Sequence, residues 1–186
     1  TDSEIADLCR RIYRQHQRAL DLIFEHVPDL QQEVSSFLES LVNQEPSLEL
    51  DYSSKSAVRF LPKTWDGIKS LREGAGWSRS RRLMMFEFKN FDRLGLYLII
   101  GPGPQAARER LYSLAQANPQ AFRGRSSKLY PKWTTIWQAS FLSESVHEES
   151  SLEDLEPKLK ARWKKFTDKE CPVIERLVSD AFSEQG

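Results

Sequence analysis

The stretch Arg82-Leu-Met-Met-Phe-Glu-Phe-Lys-Asn-Phe-Asp-Arg-Leu-Gly-Leu-Tyr-Leu-Ile-Ile-Gly-Pro-Gly-Pro-Gln-Ala-Ala-Arg-Glu-Arg-Leu-Tyr112 decides the fold. Two apolar runs, Leu83–Phe88 and Leu94–Ile100, flank the polar loop Lys89–Arg93. This is the pattern of a β-hairpin too buried to alternate cleanly. Gly101-Pro-Gly-Pro104 ends the second strand, since proline cannot donate to a ladder and glycine allows a sharp corner. A helix is expected from Gln105 to Ala117.

Working outward, Leu48–Tyr52 alternates apolar and charged residues as a half-exposed strand does, and Ala57–Leu61 is a second strand closed by Pro62. Trp133–Leu142 is a further strand, and Ser143–Ser150 an acidic turn. Residues 3–26 carry Ile5, Leu8, Ile12, Ala19 and Ile23 at helical spacing, with a packed His16 expected on or beside the stripe. Pro28 marks the start of a second helix through Leu30, Val34, Phe37, Leu38 and Leu41, and the short link implies a helical hairpin. Leu155, Leu159, Trp163 and Phe166 space a helix with Pro157 in its first turn, and Pro172 restarts a last one. The expected class is α+β. A helical hairpin at 1–46 joins an α+β domain at 47–186 with a mostly antiparallel sheet of about five strands and C-terminal helices, the two forming one compact unit.

The chain has 186 residues and zero formal net charge, and 39% of its residues are hydrophobic, with five Trp and ten Phe, which suits one packed domain. No apolar run approaches the roughly 18 residues of a membrane span, and no signal-peptide pattern opens the chain. A cytoplasmic protein is expected, and the initial Thr suggests a piece of a longer one. Cys9 and Cys171 lack a metal or redox motif and read as buried thiols. The zero net charge hides a basic centre: residues 53–133 hold sixteen basic and five acidic groups. Such a region can face an anion, with nucleic acid foremost, or can neutralise the acidic flanks within the fold.

Trp65 and Trp77 lie among glycines beside Ser78-Arg-Ser-Arg-Arg82. That combination can serve base stacking with phosphate contact, but two tryptophans pinning a long loop to the core is the favoured reading. The basic set is Arg79, Arg81, Arg82, Arg123, Arg125, Lys128 and Lys132, with Trp77 as the stacking candidate.

Glu87-Phe88-Lys89 places a carboxylate and an amine on one face of a strand. With Asp66 they are the candidates for a magnesium-dependent nuclease site, in which carboxylates hold Mg2+ and lysine positions water. An exposed Glu–Lys pair explains the same residues. Gly101–Pro104 lacks the spacing and Lys-Ser/Thr of a phosphate loop and reads as a strand-to-helix corner. The three His (16, 26 and 147) are scattered, so zinc sites and hydrolase triads have no support.

The phrases Ala19-Leu-Asp-Leu-Ile-Phe-Glu-His26, Val58-Arg-Phe-Leu-Pro-Lys-Thr-Trp-Asp66, Gly76-Trp77, Arg82–Asn90 and Leu98-Ile-Ile-Gly-Pro-Gly-Pro104 together resemble bacterial PD-(D/E)XK nuclease superfamily proteins. The likeness is to the region following their nuclease core, whose own acid–any–lysine strand comes earlier. The resemblance implies a non-catalytic C-terminal accessory domain, DNA-binding or target-sensing, of an endonuclease in phage defence or restriction. It implies no metal for this segment, makes the attached nuclease its partner, and makes Glu87 and Lys89 an echo of the motif. A protein-interaction role, with homo-oligomers formed through the N-terminal helices, is the alternative.

Overall fold

Five strands form one antiparallel sheet in the order β1-β2-β3-β4-β5, with every neighbour also a neighbour in sequence. A computed structural model describes residues 2–27, 29–143 and 151–183. The strands are β1 (Leu48–Ser53), β2 (Ala57–Pro62), β3 (Met84–Asn90), β4 (Leu94–Ile100) and β5 (Thr134–Leu142). The helices are α1 (Asp2–Glu25), α2 (Leu30–Gln44), α3 (Gln105–Ala117), α4 (Leu152–Lys165) and α5 (Cys171–Ser183). The class is α+β as expected. The acidic turn expected at 143–150 lies, beyond Ser143, outside the described residues, as does Pro28; Asp29 caps α2, its carboxylate accepting from the Gln32 amide.

Strand alternation sorts the sheet into two unlike faces. Phe60, Phe86, Leu98 and Trp137 stand side by side across β2 to β5, next to a row of Val58, Phe88, Leu96 and Ala139. Trp163 of α4 and Phe166, just beyond it, meet these rings edge-on or tilted at 5.1–6.0 Å between centroids. Val34, Leu38 and Val42 of α2 and Ile174 and Val178 of α5 complete the same core. Aromatic rings supply the largest apolar area per side chain, which is why this face carries the fold. The opposite face presents the row Arg59, Glu87, Tyr97 and Gln138.

The N-terminus departs from expectation in what it packs. α2 belongs to the core. α1 buries none of its residues; its backbone leaves helical geometry at His16, and that histidine is exposed rather than packed. Cys9 is likewise exposed, whereas Cys171 is buried and desolvation pushes its thiol well above the usual range. Because the thiolate is the reactive form, a disulfide reagent will titrate one thiol in the native protein, Cys9, and two after denaturation. Two fast thiols in the native state would contradict the buried placement.

The C-terminal helices are also joined differently. α4 opens on a capping box between Ser151 and Asp154, so Pro157 falls in its second turn rather than its first. Pro172 does not restart a helix after a break. Residues Phe166–Glu170 form a π turn in which the Cys171 amide reaches back to the Phe166 carbonyl, carrying α4 directly into α5. The wider turn absorbs the hydrogen bond that proline cannot donate.

Candidate nucleic-acid interface

One end of the sheet gathers much of the basic sequence. Gly101–Pro104, where β4 turns into α3, is the corner to which two loops are tied. The Ala75 amide donates to the Pro102 carbonyl at 2.8 Å, which fixes the loop carrying Trp77, Arg79 and Arg81. On the other side Arg108 of α3 donates to the carbonyls of Gly101 (2.9 Å), Tyr130 (2.7 Å) and Lys132 (3.0 Å), fixing the loop with Lys128 and Lys132. Arg108 is 1% exposed. No described carboxylate pairs with it, and burial lowers its pKa. A guanidinium suits this place because its rigid fork can serve several carbonyls at once.

Trp77 is half-buried. Its ring lies so close to Gly101 that a Cβ there would come within 2.7 Å of Cε3, so the tryptophan does pin its loop. The same ring faces the open side of the sheet, with the Arg59 guanidinium 5.7 Å from its centroid and 4.9 Å from that of Tyr52. Tyr52, Arg59, Trp77 and Arg79 thus share one concave surface with Asp51 and Ser80. Trp65, by contrast, is core, stacked on Phe86.

Arg81 adopts φ +60°, a left-handed conformation that costs a non-glycine residue roughly 1–2 kcal/mol. Backbone bonds from the Arg81 amide to the Ser78 carbonyl and from the Gly74 amide to the Arg81 carbonyl hold it there. The conformation leaves the side chain exposed, beside an exposed Arg79.

Arg82 differs from its neighbours in being buried and ion-paired. It is 8% exposed and donates to Asp51 at 2.9 Å and to Asp66 at 2.7 and 3.0 Å. Its position before β3 and the bulge that leaves Asp51 outside the β1–β2 register bring the two carboxylates onto one guanidinium. Its donors are already engaged by the two carboxylates, although the guanidinium lines the same concave surface. Arg82 holds the Asp66 carboxyl below its usual range. Arg125 is also partly committed, with its guanidinium donating to the Tyr112 hydroxyl and the Ser126 carbonyl. Arg123 lies away from the corner, where its carbonyl accepts from Gln138 on the free edge of β5.

Each residue of the catalytic alternative already has a partner within the chain. Glu87 and Lys89 share the open face, as their spacing requires, but Arg59 takes the Glu87 carboxylate at 2.5 Å and Lys89 sits over the Tyr97 ring. Asp66 belongs to the Arg82 pair and also to Arg72 at 3.2 Å. Among the described residues no three His, Cys, Asp or Glu side chains gather to hold a metal. Both carboxylates of that alternative are thus engaged in ion pairs with arginine.

Sequence reasoning missed Tyr52, Arg59 and Arg108. Arg59 had a usable signal, a charge alternating with Val58 and Phe60 on a strand. Arg108 had none, since a helical arginine ordinarily faces water. Compared with family models, curated proteins and solved structures, the chain matches none of them.

Proposed function

We propose that this chain is a non-catalytic accessory domain that binds DNA, mainly through its phosphate backbone, for an attached PD-(D/E)XK-type nuclease in bacterial defence or restriction. The supporting observation is the sheet end built around Gly101–Pro104. There, Arg79 and Arg81 on one loop and Lys128 and Lys132 on the other are exposed, and among the described residues none is ion-paired. The nearby Tyr52, Arg59 and Trp77 offer ring and guanidinium surface to a base. The resemblance carried by the phrases between Ala19 and Pro104 to the region after the nuclease core is what suggests the attached enzyme and its setting.

Arg79→Gln combined with Arg81→Gly tests the reading, because glycine accepts φ +60° without strain. Melting temperature should hold or rise, while affinity for a short DNA duplex at low salt should fall at least ten-fold. Unchanged affinity would remove this end of the sheet as the interface. Glu87→Ala, assayed with magnesium, covers the nuclease alternative: cleavage by the wild-type chain that the variant loses would reinstate it.

A protein-interaction role has one observation of its own. Ile5, Leu8, Ile12, Tyr13, Leu22, Ile23, Phe24 and Val27 in and just after α1 are each 41–68% exposed. So much apolar surface exceeds what an isolated soluble domain usually shows. Concentration-dependent mass in sedimentation, abolished by Leu8→Glu with Ile12→Glu, would assign the helix to self-association.

A further inference from the structure

The free edge of β5 carries a second basic concavity, built from different elements. The loop before β5 lies along this edge: the Gln138 amide donates to the Arg123 carbonyl and the Ser126 amide to the Thr135 carbonyl. Gly124, at φ +72°, permits this approach, since a Cβ there would come 2.3 Å from Gln138 Cγ. Between this loop, β5 and the α4–α5 junction is a cleft of about 340 Å³. Arg123, Gln138, Arg162, Lys165, Lys169 and Glu170 contribute its polar lining.

Four cations meet one carboxylate here. Glu170 takes a single hydrogen bond from Arg162 Nη2 at 3.0 Å, while the guanidinium stacks on Phe141 at 4.8 Å. Arg162 Nη1 is buried and has no partner. A buried donor without an acceptor is costly, and the residue that carries it lines the cleft. Lys165 and Lys169 are exposed and, among the described residues, have no ion pair, in contrast to Lys164, which is held by Asp168. The cleft residues Lys169 and Glu170 lie on the π turn, a distortion often retained where it places functional side chains.

We propose that this cleft binds a phosphate group, with Arg162 and the two lysines as its donors. Its volume, near the lower end for ligand pockets, suits one nucleotide-sized unit. The phosphate can come from a free nucleoside phosphate or from the 5′ end of a nucleic acid strand. The site shares no residue with the sheet end proposed for DNA and stands independently of that reading.

Calorimetric titration with ATP, and with a short oligonucleotide with and without a 5′-phosphate, tests it. Lys165→Gln with Lys169→Gln alters only exposed, unpaired side chains, so its circular dichroism and melting should match wild type. The wild-type chain should bind ATP, or the 5′-phosphorylated strand more tightly than the unphosphorylated one. That ATP affinity or that 5′-phosphate increment should fall ten-fold or more in the double variant and persist in Arg79→Gln. Preference for ATP would assign the cleft to a small molecule, and preference for the 5′-phosphorylated over the unphosphorylated strand would assign it to a nucleic acid end. No binding of any phosphate probe at millimolar concentration, or equal affinity in wild type and the lysine variant, would overturn the proposal.

Discussion

Replacing Arg82 with methionine will destabilise the domain by about 3–5 kcal/mol, because it leaves the buried Asp51 carboxylate without a cation and Asp66 with only the half-exposed Arg72. Asp51 retains only 5% of its side-chain exposure and Asp66 27%, so water can replace the lost partner poorly. For a chain of this size the loss corresponds to a melting-temperature drop of roughly 10 °C. Charge rather than packing is responsible, and the triple variant Arg82→Met, Asp51→Asn, Asp66→Asn should recover most of the loss. A triple variant as unstable as the single one would place the effect in packing instead. The same pair sets an acid limb. The depressed pKa of Asp66 makes its stabilisation complete above the unfolded-state value of about 4. It is lost as pH falls through the lower folded-state pKa. Urea unfolding between pH 5 and pH 2 should therefore steepen in the wild type and flatten in the triple variant.

Arg108→Leu is expected to cost about 3 kcal/mol, since it leaves the carbonyls of Gly101, Tyr130 and Lys132 without their charged donor. The structural consequence is local. Without Arg108 the loop through Lys128 and Lys132 loses its tie to the Gly101–Pro104 corner. Limited trypsin digestion should cut after Lys128 or Lys132 far faster than in the wild type. Arg108→Lys should restore little of either property, because one ammonium cannot reproduce the spread of a guanidinium fork. A lysine variant with wild-type melting and protease resistance would contradict the bridging role.

These two arginines mark what was hidden in the sequence. The sheet was legible because its runs are long and apolar and end in Gly, Pro or polar loops. α3 was legible because Gly101–Pro104 announces it, and its range is the expected one. Arg82 was not, since one residue of Ser78-Arg-Ser-Arg-Arg82 enters the interior while two stay outside. That choice depends on a β1 bulge and a carboxylate 31 positions earlier, which local pattern does not encode. α1 misled for a related reason: its stripe correctly gave a helix but could not say whether anything covers it, so His16 and Cys9 were placed inward. Pro172 signalled a helix start, and the π turn that removes the break has no period of its own to read. In the candidate interface, Arg79, Arg81, Lys128 and Lys132 were legible as charges. That two loops some fifty residues apart meet at one corner was not.

The most direct test of the interface is the salt dependence of DNA binding by the wild-type chain, measured by anisotropy with a fluorescent duplex from low to moderate salt. Contact dominated by Arg79, Arg81, Lys128 and Lys132 predicts affinity that falls linearly in log–log form, with a slope of roughly −3 to −4. It also predicts little difference between unrelated duplex sequences, and a slope shallower by about one for each of the four charges removed. Binding that is absent at low salt, or whose slope is near zero and unchanged by those substitutions, would contradict a DNA-binding role for this domain.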